Sequence, residues 1–239
     1  MNILIPMAGE GKRFKDAGFD LPKPLIPVCG RPMIEVAVNS LGVDGQWIFV
    51  VRNITAPTLQ FLSKLRPGCR LNGTNGKTTD GAACSALLAK YSINNDDPLL
   101  IADCDAIMRW DAEKFNKAIQ DLEHDGLLVT YNTNRPQNCY LSLDENGFVT
   151  RAAEKEVISN ISTNGICYWK RGSDFVRSAE KMIAANKRVN NEFYISQTYN
   201  ELIAEGKKIV TYHIEASEHW SVGSPQDLDI YEKMVAGRV

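Results

Sequence analysis

A chain of 239 residues is long enough for one large α/β domain with a substantial buried core. Its 44% hydrophobic and 23% charged residues are ordinary for a globular protein, and a net charge of −2 supplies no general basic field for nucleic acid or an anionic membrane. Six scattered cysteines without a CxxC pair argue against a disulfide or zinc framework, so any charged site must be local and built from other residues.

The chain opens on a strand-like run, Ile3-Leu4-Ile5, rather than a signal core. No apolar stretch is long enough to span a bilayer, so a cytoplasmic location without membrane contact is expected. Met7-Ala8-Gly9-Glu10-Gly11 then lets the backbone turn tightly and aim N–H groups at anionic oxygens. Lys12 and Arg13 add charge, Arg13 as a fork that grips phosphate bidentately. Pro22 and Pro24 bracket Lys23 and stiffen the chain around it, which predicts a preorganised lysine. The segment is not a dinucleotide fingerprint, whose third glycine position holds Phe14, nor a P-loop, because Arg13 follows Gly11-Lys12 where Ser or Thr is required.

Helical spacing runs over Met33 to Leu41, Thr55 to Leu65, Gly81 to Tyr91 and Asp111 to His124. Strand-like runs lie at Trp47 to Val51, Leu99 to Ala102 and Gly126 to Thr130. This alternation predicts a single-domain, Rossmann-like three-layer α/β/α fold with a mainly parallel, mixed sheet and a ligand site beyond the strands' carboxyl ends. After about residue 136 the pattern changes. Asn138 to Ser142 and Phe148 to Ala153 flank an Asp144-Glu145-Asn146-Gly147 turn and read as a hairpin. A strand at Gly165 to Lys170, a helix from Ser173 to Asn186 capped by Ser or Asp, a helix from Asn190 to Glu205 and a strand at Lys207 to Ile214 follow. Ser224-Pro225 opens a terminal helix. No linker or repeat divides residues 1–239, which are read as one domain.

Asp103-Cys104-Asp105 directly follows an apolar strand. Side chains at i and i+2 of an extended segment share a face, so the two carboxylates suit a hard divalent cation held also by phosphate oxygens, or else a simple strand-end turn. Asp80-Gly81-Ala82 precedes an Ala-rich segment whose small side chains admit a base or sugar, or simply cap a helix. Glu154-Lys155 offers a hydroxyl acceptor and a cation, and Asn190-Asn191-Glu192 supplies polar groups before Phe193-Tyr194. The three histidines are too few and too separated for a histidine-based site, and no GxSxG or HExxH motif occurs.

Taken in order with Trp220-Ser221-Val222-Gly223-Ser224-Pro225, these motifs resemble the sugar-phosphate nucleotidyltransferases over nearly the whole chain. Gly9-x-Gly11-x-Arg13-Phe14 and Pro22-Lys23-Pro24-Leu25-Ile26 are the most specific part. The likeness is greatest to short members associated with capsule and surface-polysaccharide synthesis and to small cytidylyltransferases. It implies a cytoplasmic enzyme with a nucleotide-diphospho-sugar transferase fold, its nucleotide-binding half at 1–135 and its acceptor-binding half at 136–239. That enzyme joins an NTP, with CTP favoured, to a sugar phosphate or other small phosphorylated acceptor and releases pyrophosphate. By motif, Arg13, Lys23 and Lys155 would be catalytic. Ala8, Gly9, Gly11, Lys12, Arg13, Asp80, Gly81, Ala82 and Asp103 would hold the nucleotide; Glu154, Lys155, Asn191 and Glu192 would hold the acceptor; and Asp105 with Asp103 would hold Mg²⁺. The family commonly places a second metal-binding Asp where this chain has Ser221, so Asp103, Glu218 or His219 is expected to compensate, or the metal keeps an extra water, or Asp105 alone anchors it through the nucleotide. A glycosyltransferase using Asp103-x-Asp105 and a non-catalytic nucleotide-binding protein are the alternatives. An exposed edge strand in the C-terminal half would suit a homodimer.

Overall fold

A computed structural model describes residues 1–237. Strand β1 (Asn2–Pro6) leads into helix α1 (Lys12–Asp16), one 3₁₀ turn at Lys23–Leu25, and a short ribbon of β2 (Pro27–Val28) and β3 (Arg31–Pro32). Helix α2 (Met33–Leu41), β4 (Gln46–Val51), α3 (Ala56–Leu65), β5 (Arg70–Gly73), α4 (Ala82–Leu87), α5 (Lys90–Ile93) and β6 (Leu99–Ala102) complete the first half. Then come β7 (Ala106–Met108), α6 (Ala112–Gln120), β8 (Gly126–Asn132), β9 (Cys139–Leu143), β10 (Val149–Glu154) and β11 (Ile161–Trp169). The chain closes with α7 (Gly172–Ala184), α8 (Thr198–Ala204), β12 (Ile209–His213), β13 (His219–Ser221) and α9 (Pro225–Val235).

The central sheet has β5, β4, β1 and β6 in parallel. It continues through β11, which runs antiparallel to both β6 and β8, and ends at β12, parallel to β8. The hairpin of β9 and β10 joins the first part of β11 at Ser162 opposite Tyr140. Because successive side chains of a strand face opposite sides, Leu4, Ile48 and Ile101 enter one core with Phe175, Tyr199 and Leu202 of α7 and α8. Ile3, Ile5, Phe49 and Leu100 enter the other core with Ile34, Leu62 and Phe115 of α2, α3 and α6. These are the three layers expected from the alternation. A third cluster gathers Phe14, Ile26, Val28 and Met33 against Ile107, Val222, Leu228 and Tyr231, tying the Lys23 turn to β7, β13 and α9.

Four expected elements differ. The helix expected over residues 81–91 is broken after Leu87, where the N–H groups of Leu88 and Ala89 bond back three residues to Ser85 and Ala86 and tighten the turn. The helix expected to reach His124 stops at Gln120. Helix α7 starts without a Ser or Asp cap. The N–H groups of Gly172 and Ser173 instead donate to the carbonyls of Asp97 and Asn95, and Asp174 pairs with Arg171 and Arg177. The helix expected from Asn190 begins only at Thr198, because Asn190 (φ 48°) and Asn191 (φ 63°) adopt left-handed backbone that no helix accommodates.

Trp169 is fully buried and stacks on Tyr199 with ring centroids 4.6 Å apart. Trp169→Ala should cost about 3–5 kcal/mol, read as a lower denaturation midpoint with an unchanged urea m-value.

Candidate active site

The site lies where the sheet's parallel strands end. From β1 the chain passes into a loop that turns at Gly11, whose backbone is left-handed (φ 65°). A Cβ there would sit 3.0 Å from Lys23 Cβ, so the glycine lets the loop lie directly on the Pro-Lys-Pro turn. Glu10 holds the loop from the other side, accepting from Thr78 Oγ1 at 2.6 Å and lying 3.6 Å from the Arg52 guanidinium. Thr78 opens the Thr78 to Ala83 segment that the sequence marks as a loop before a helix, whereas Arg52 carries no local motif.

Lys23 reaches across 82 residues of sequence to donate from Nζ to Asp105 Oδ2 at 2.5 Å. Burial alone would lower the lysine's pKa, but the charge of Asp105 and its hydrogen bond reverse this and carry it above its ordinary value. Burial likewise would raise Asp105, and Lys23 holds it below the usual carboxylate range. Both groups are therefore charged at neutral pH. Asp103 opens onto the same cleft while protein closes around it. That desolvation, followed by the negative charge of Asp105, raises its carboxyl to about 7.

Two glycines make room for these carboxylates: a Cβ at Gly165 would overlap Asp103 Oδ2, and one at Gly223 would overlap Asp105 Oδ2. The register of β11 against β8 breaks between Thr163 and Cys167, which brings Gly165 to the cleft. The paired oxygen donors in this cleared cradle fit a hard divalent cation whose remaining ligands come from phosphate or water. Among the described residues no group of three or more His, Cys, Asp or Glu side chains gathers into a metal site. Of the expected substitutes for the missing Asp at Ser221, Glu218 is spent on a turn, its carboxylate accepting from the N–H of Glu215 at 2.8 Å. His219 has its Nε2 buried without a hydrogen-bond partner.

The opposite wall comes from the hairpin and the 186–197 loop. Glu154 accepts from Ser196 Oγ at 2.9 Å, and burial raises its pKa. Lys155 ends β10 in left-handed backbone (φ 57°), unusual for a lysine. Its ammonium lies 4.6 Å from the Tyr194 ring centroid and bonds the Tyr194 hydroxyl. Arg188 ties two loops together, donating to Asp80 Oδ2 at 2.9 Å and to the Asn191 carbonyl at 3.0 Å.

The resulting cleft encloses about 550 Å³ and is lined by Arg13, Ala82, Asp103, Asp105, Glu154, Lys155 and Glu192 among the expected residues. Ala8, Gly9, Gly11, Lys12, Lys23, Asp80, Gly81 and Asn191 are outside that lining; Lys23 meets it only through Asp105, and Ala8 has its side chain in the core, which leaves only its backbone for a ligand. His219, one of the expected substitutes at the metal, also lines the cleft, as do Arg135, Asn138, Tyr131, Tyr194 and Asp227, which the sequence did not assign to the site. A larger hollow of about 920 Å³, bordered by Met1, Asp44, Pro98 and Lys170, opens at the strands' amino ends. One pair of charges there is mutually satisfied, Lys207 with Asp125 at 2.8 Å.

With this geometry in place, the comparisons with known proteins are decisive for the family. The sequence model of the nucleotidyl transferase family matches residues 3–234. The chain belongs to this family. It is a nucleotidyltransferase, as the Gly9–Arg13 loop, Lys23 and Asp105 led one to expect. It is 23% identical over 232 residues to the bifunctional protein GlmU of Methanocaldococcus jannaschii, covering 95% of this chain and 52% of that one. To the protein of the same name from Caldicellulosiruptor saccharolyticus it is 23% identical over 252 residues, covering 99% and 52%. The chain thus spans about half the length of the curated relatives it matches. Among solved structures, the nucleoside-diphosphate-sugar pyrophosphorylase of Vibrio cholerae RC9 has the same fold, with a TM-score of 0.82, 23% identity and coverage of 97% and 99%. A UDP-glucose pyrophosphorylase complexed with UDP-glucose superimposes with a TM-score of 0.78 at 16% identity, covering 100% and 99%.

Burial lowers the pKa of His219 from 6.5 to about 4. Between these values the unfolded chain takes up a proton that the folded histidine refuses, so His219 makes stability fall as pH drops through this window, by up to ~1.4 kcal/mol per pH unit. In urea titrations across the window His219→Gln should lose stability less steeply than the parent; parallel curves would contradict the assignment.

Proposed function

We propose that the enzyme transfers a nucleotidyl group from an NTP to a small phosphorylated acceptor and releases pyrophosphate. The observation that carries this reading is the Lys23–Asp105 pair, whose aspartate lines one cleft with Glu154 and Lys155. The first 135 residues serve the nucleotide and the remainder the acceptor. The Gly9–Arg13 loop faces the triphosphate, Gly81-Ala82 the base, and Glu154, Lys155, Asn191 and Glu192 the acceptor's hydroxyls and phosphate. CTP is the nucleotide we favour, on the resemblance to small cytidylyltransferases. Sugar phosphates or phospho-alcohols for surface-polysaccharide precursors are the acceptors, and the cytoplasm is the compartment. The described residues contain no helix long and apolar enough to cross a membrane.

A phosphate monoester has a second pKa near 6, so the acceptor brings its own nucleophilic oxygen and needs no dedicated base. The obstacle is repulsion between two anions. Arg13, Lys23 and Lys155 lower it by supplying fixed positive charge, and positioning does the rest. Mg²⁺, held by Asp105 with Asp103, would add neutralising charge on the phosphate oxygens. The left-handed backbone of Lys155 is the kind of local strain that persists where a side chain must be aimed.

A screen crossing four NTPs with sugar 1-phosphates and phospho-alcohols, read by pyrophosphate release, tests the reaction. A glycosyltransferase would release none and would consume a nucleotide-sugar instead. Lys23→Ala should lower kcat by roughly 10²-fold or more, and near-normal turnover would remove Lys23 from the chemistry. Asp105→Asn should weaken the Mg²⁺ dependence of turnover, whereas an unchanged metal titration would remove it from the ligand set.

A further inference from the structure

We infer that Arg135 is the anchor for the acceptor's phosphate, an assignment that rests on the nucleotidyl-transfer reading above. Arg135 stands in the loop between β8 and β9, on a cleft that it lines together with Asp105, His219, Ser221 and Asp227. Its backbone is fixed. The Arg135 carbonyl accepts from the hydroxyl of the fully buried Tyr140 at 2.8 Å and from the N–H of Asn138 at 3.2 Å. Pro136 restricts Arg135 to extended conformations. The guanidinium is therefore carried on a rigid base while its tip stays accessible, with the side chain 49% exposed.

That tip is only partly used. Nη1 donates to Asp227 Oδ1 at 3.1 Å, and a guanidinium carries five N–H donors in a planar fork that matches phosphate. An ion pair this exposed holds its partners weakly, so a phosphate can take the place of Asp227 at small cost. Asp227 remains satisfied, because its other oxygen accepts from Ser224 Oγ at 2.6 Å. Ser221 leaves this wall without the carboxylate expected there, so an anion on Arg135 meets one fewer negative charge. Arg135 leads directly into the hairpin that carries Glu154, its carbonyl held by Tyr140 of β9, and it lines the cleft with Glu154 and Lys155, so the anion is the acceptor's.

Phenylglyoxal labelling of the full chain, resolved by mass spectrometry, tests this with inorganic phosphate as the probe. Millimolar phosphate should slow modification of Arg135 several-fold and leave Arg151 unaffected, an exposed arginine paired with Glu156 and absent from the cleft lining. Asp227→Asn should lower the phosphate concentration needed. No protection at Arg135, or equal protection at both arginines, overturns the assignment. With the acceptor found by the pyrophosphate screen, Arg135→Ala should raise the acceptor KM about 10- to 100-fold, the scale of a charge-assisted bidentate contact. The KM for NTP should not change, and Arg135→Lys should recover only part of the loss. An unchanged acceptor KM, or an equal rise for both substrates, also overturns it. Protection of Arg13 by CTP and Mg²⁺ is read in the same labelling run. Its absence counts against the reaction reading and leaves the Arg135 result to be judged on phosphate alone.

Discussion

The contact between Lys23 and Asp105 is the constraint around which this molecule is arranged. One partner sits in a proline-bracketed turn and the other at the end of a buried strand, and neither position alone would make a site. The third apolar cluster makes them neighbours. Phe14, Ile26, Val28 and Met33 pack on Ile107, Val222, Leu228 and Tyr231, so the turn is seated on the ribbon that carries Asp105 and on the last helix. A poorly solvated charge stripped of its partner costs more than the pair contributes when intact. The two residues are therefore bound to each other's presence.

Around this pair the cleft alternates sign at short range. Asp105 and Glu154 are half-buried, while Asp103, Arg13, Lys155 and Arg135 stand in more open positions. A site that must bring two anions together needs this mixture. Cations alone would hold the product as firmly as the substrates, whereas carboxylates beside them give a divalent ion and sugar hydroxyls somewhere to bind.

The frame was legible where a short pattern decides it. Apolar runs gave β1, β4, β6 and β8, the Asp-Glu-Asn-Gly turn gave the hairpin, and Ser224-Pro225 gave the last helix with Ser224 accepting from the N–H of Asp227. The Lys23 turn was legible because proline restricts its neighbours whatever the tertiary context. The three-residue strands β7 and β13 were not, since each exists only by pairing with the other across more than a hundred residues. Nor was the 186–197 loop, whose spacing imitates a helix while two asparagines take left-handed backbone and Arg188 ties it to Asp80. Arg135 escaped notice for a related reason. A lone arginine before a proline has no local signature, and its meaning comes from a buried tyrosine and a distant aspartate.

Strand β11, reversed like β10 against the rest of the central sheet, decides what the hairpin brings to the cleft. Since it runs against its neighbours, the end it presents to the cleft is its beginning, where the hairpin is attached and Gly165 sits beside Asp103. The hairpin pairs with the rest of the sheet through this one strand, yet its Cys139, Leu141, Val149 and Ala152 pack in the same core as Leu4, Ile48 and Ile101. Length can therefore be added at the exposed turn, Glu145 to Gly147, while a change at an inward hairpin position is felt as far as β1 and β6.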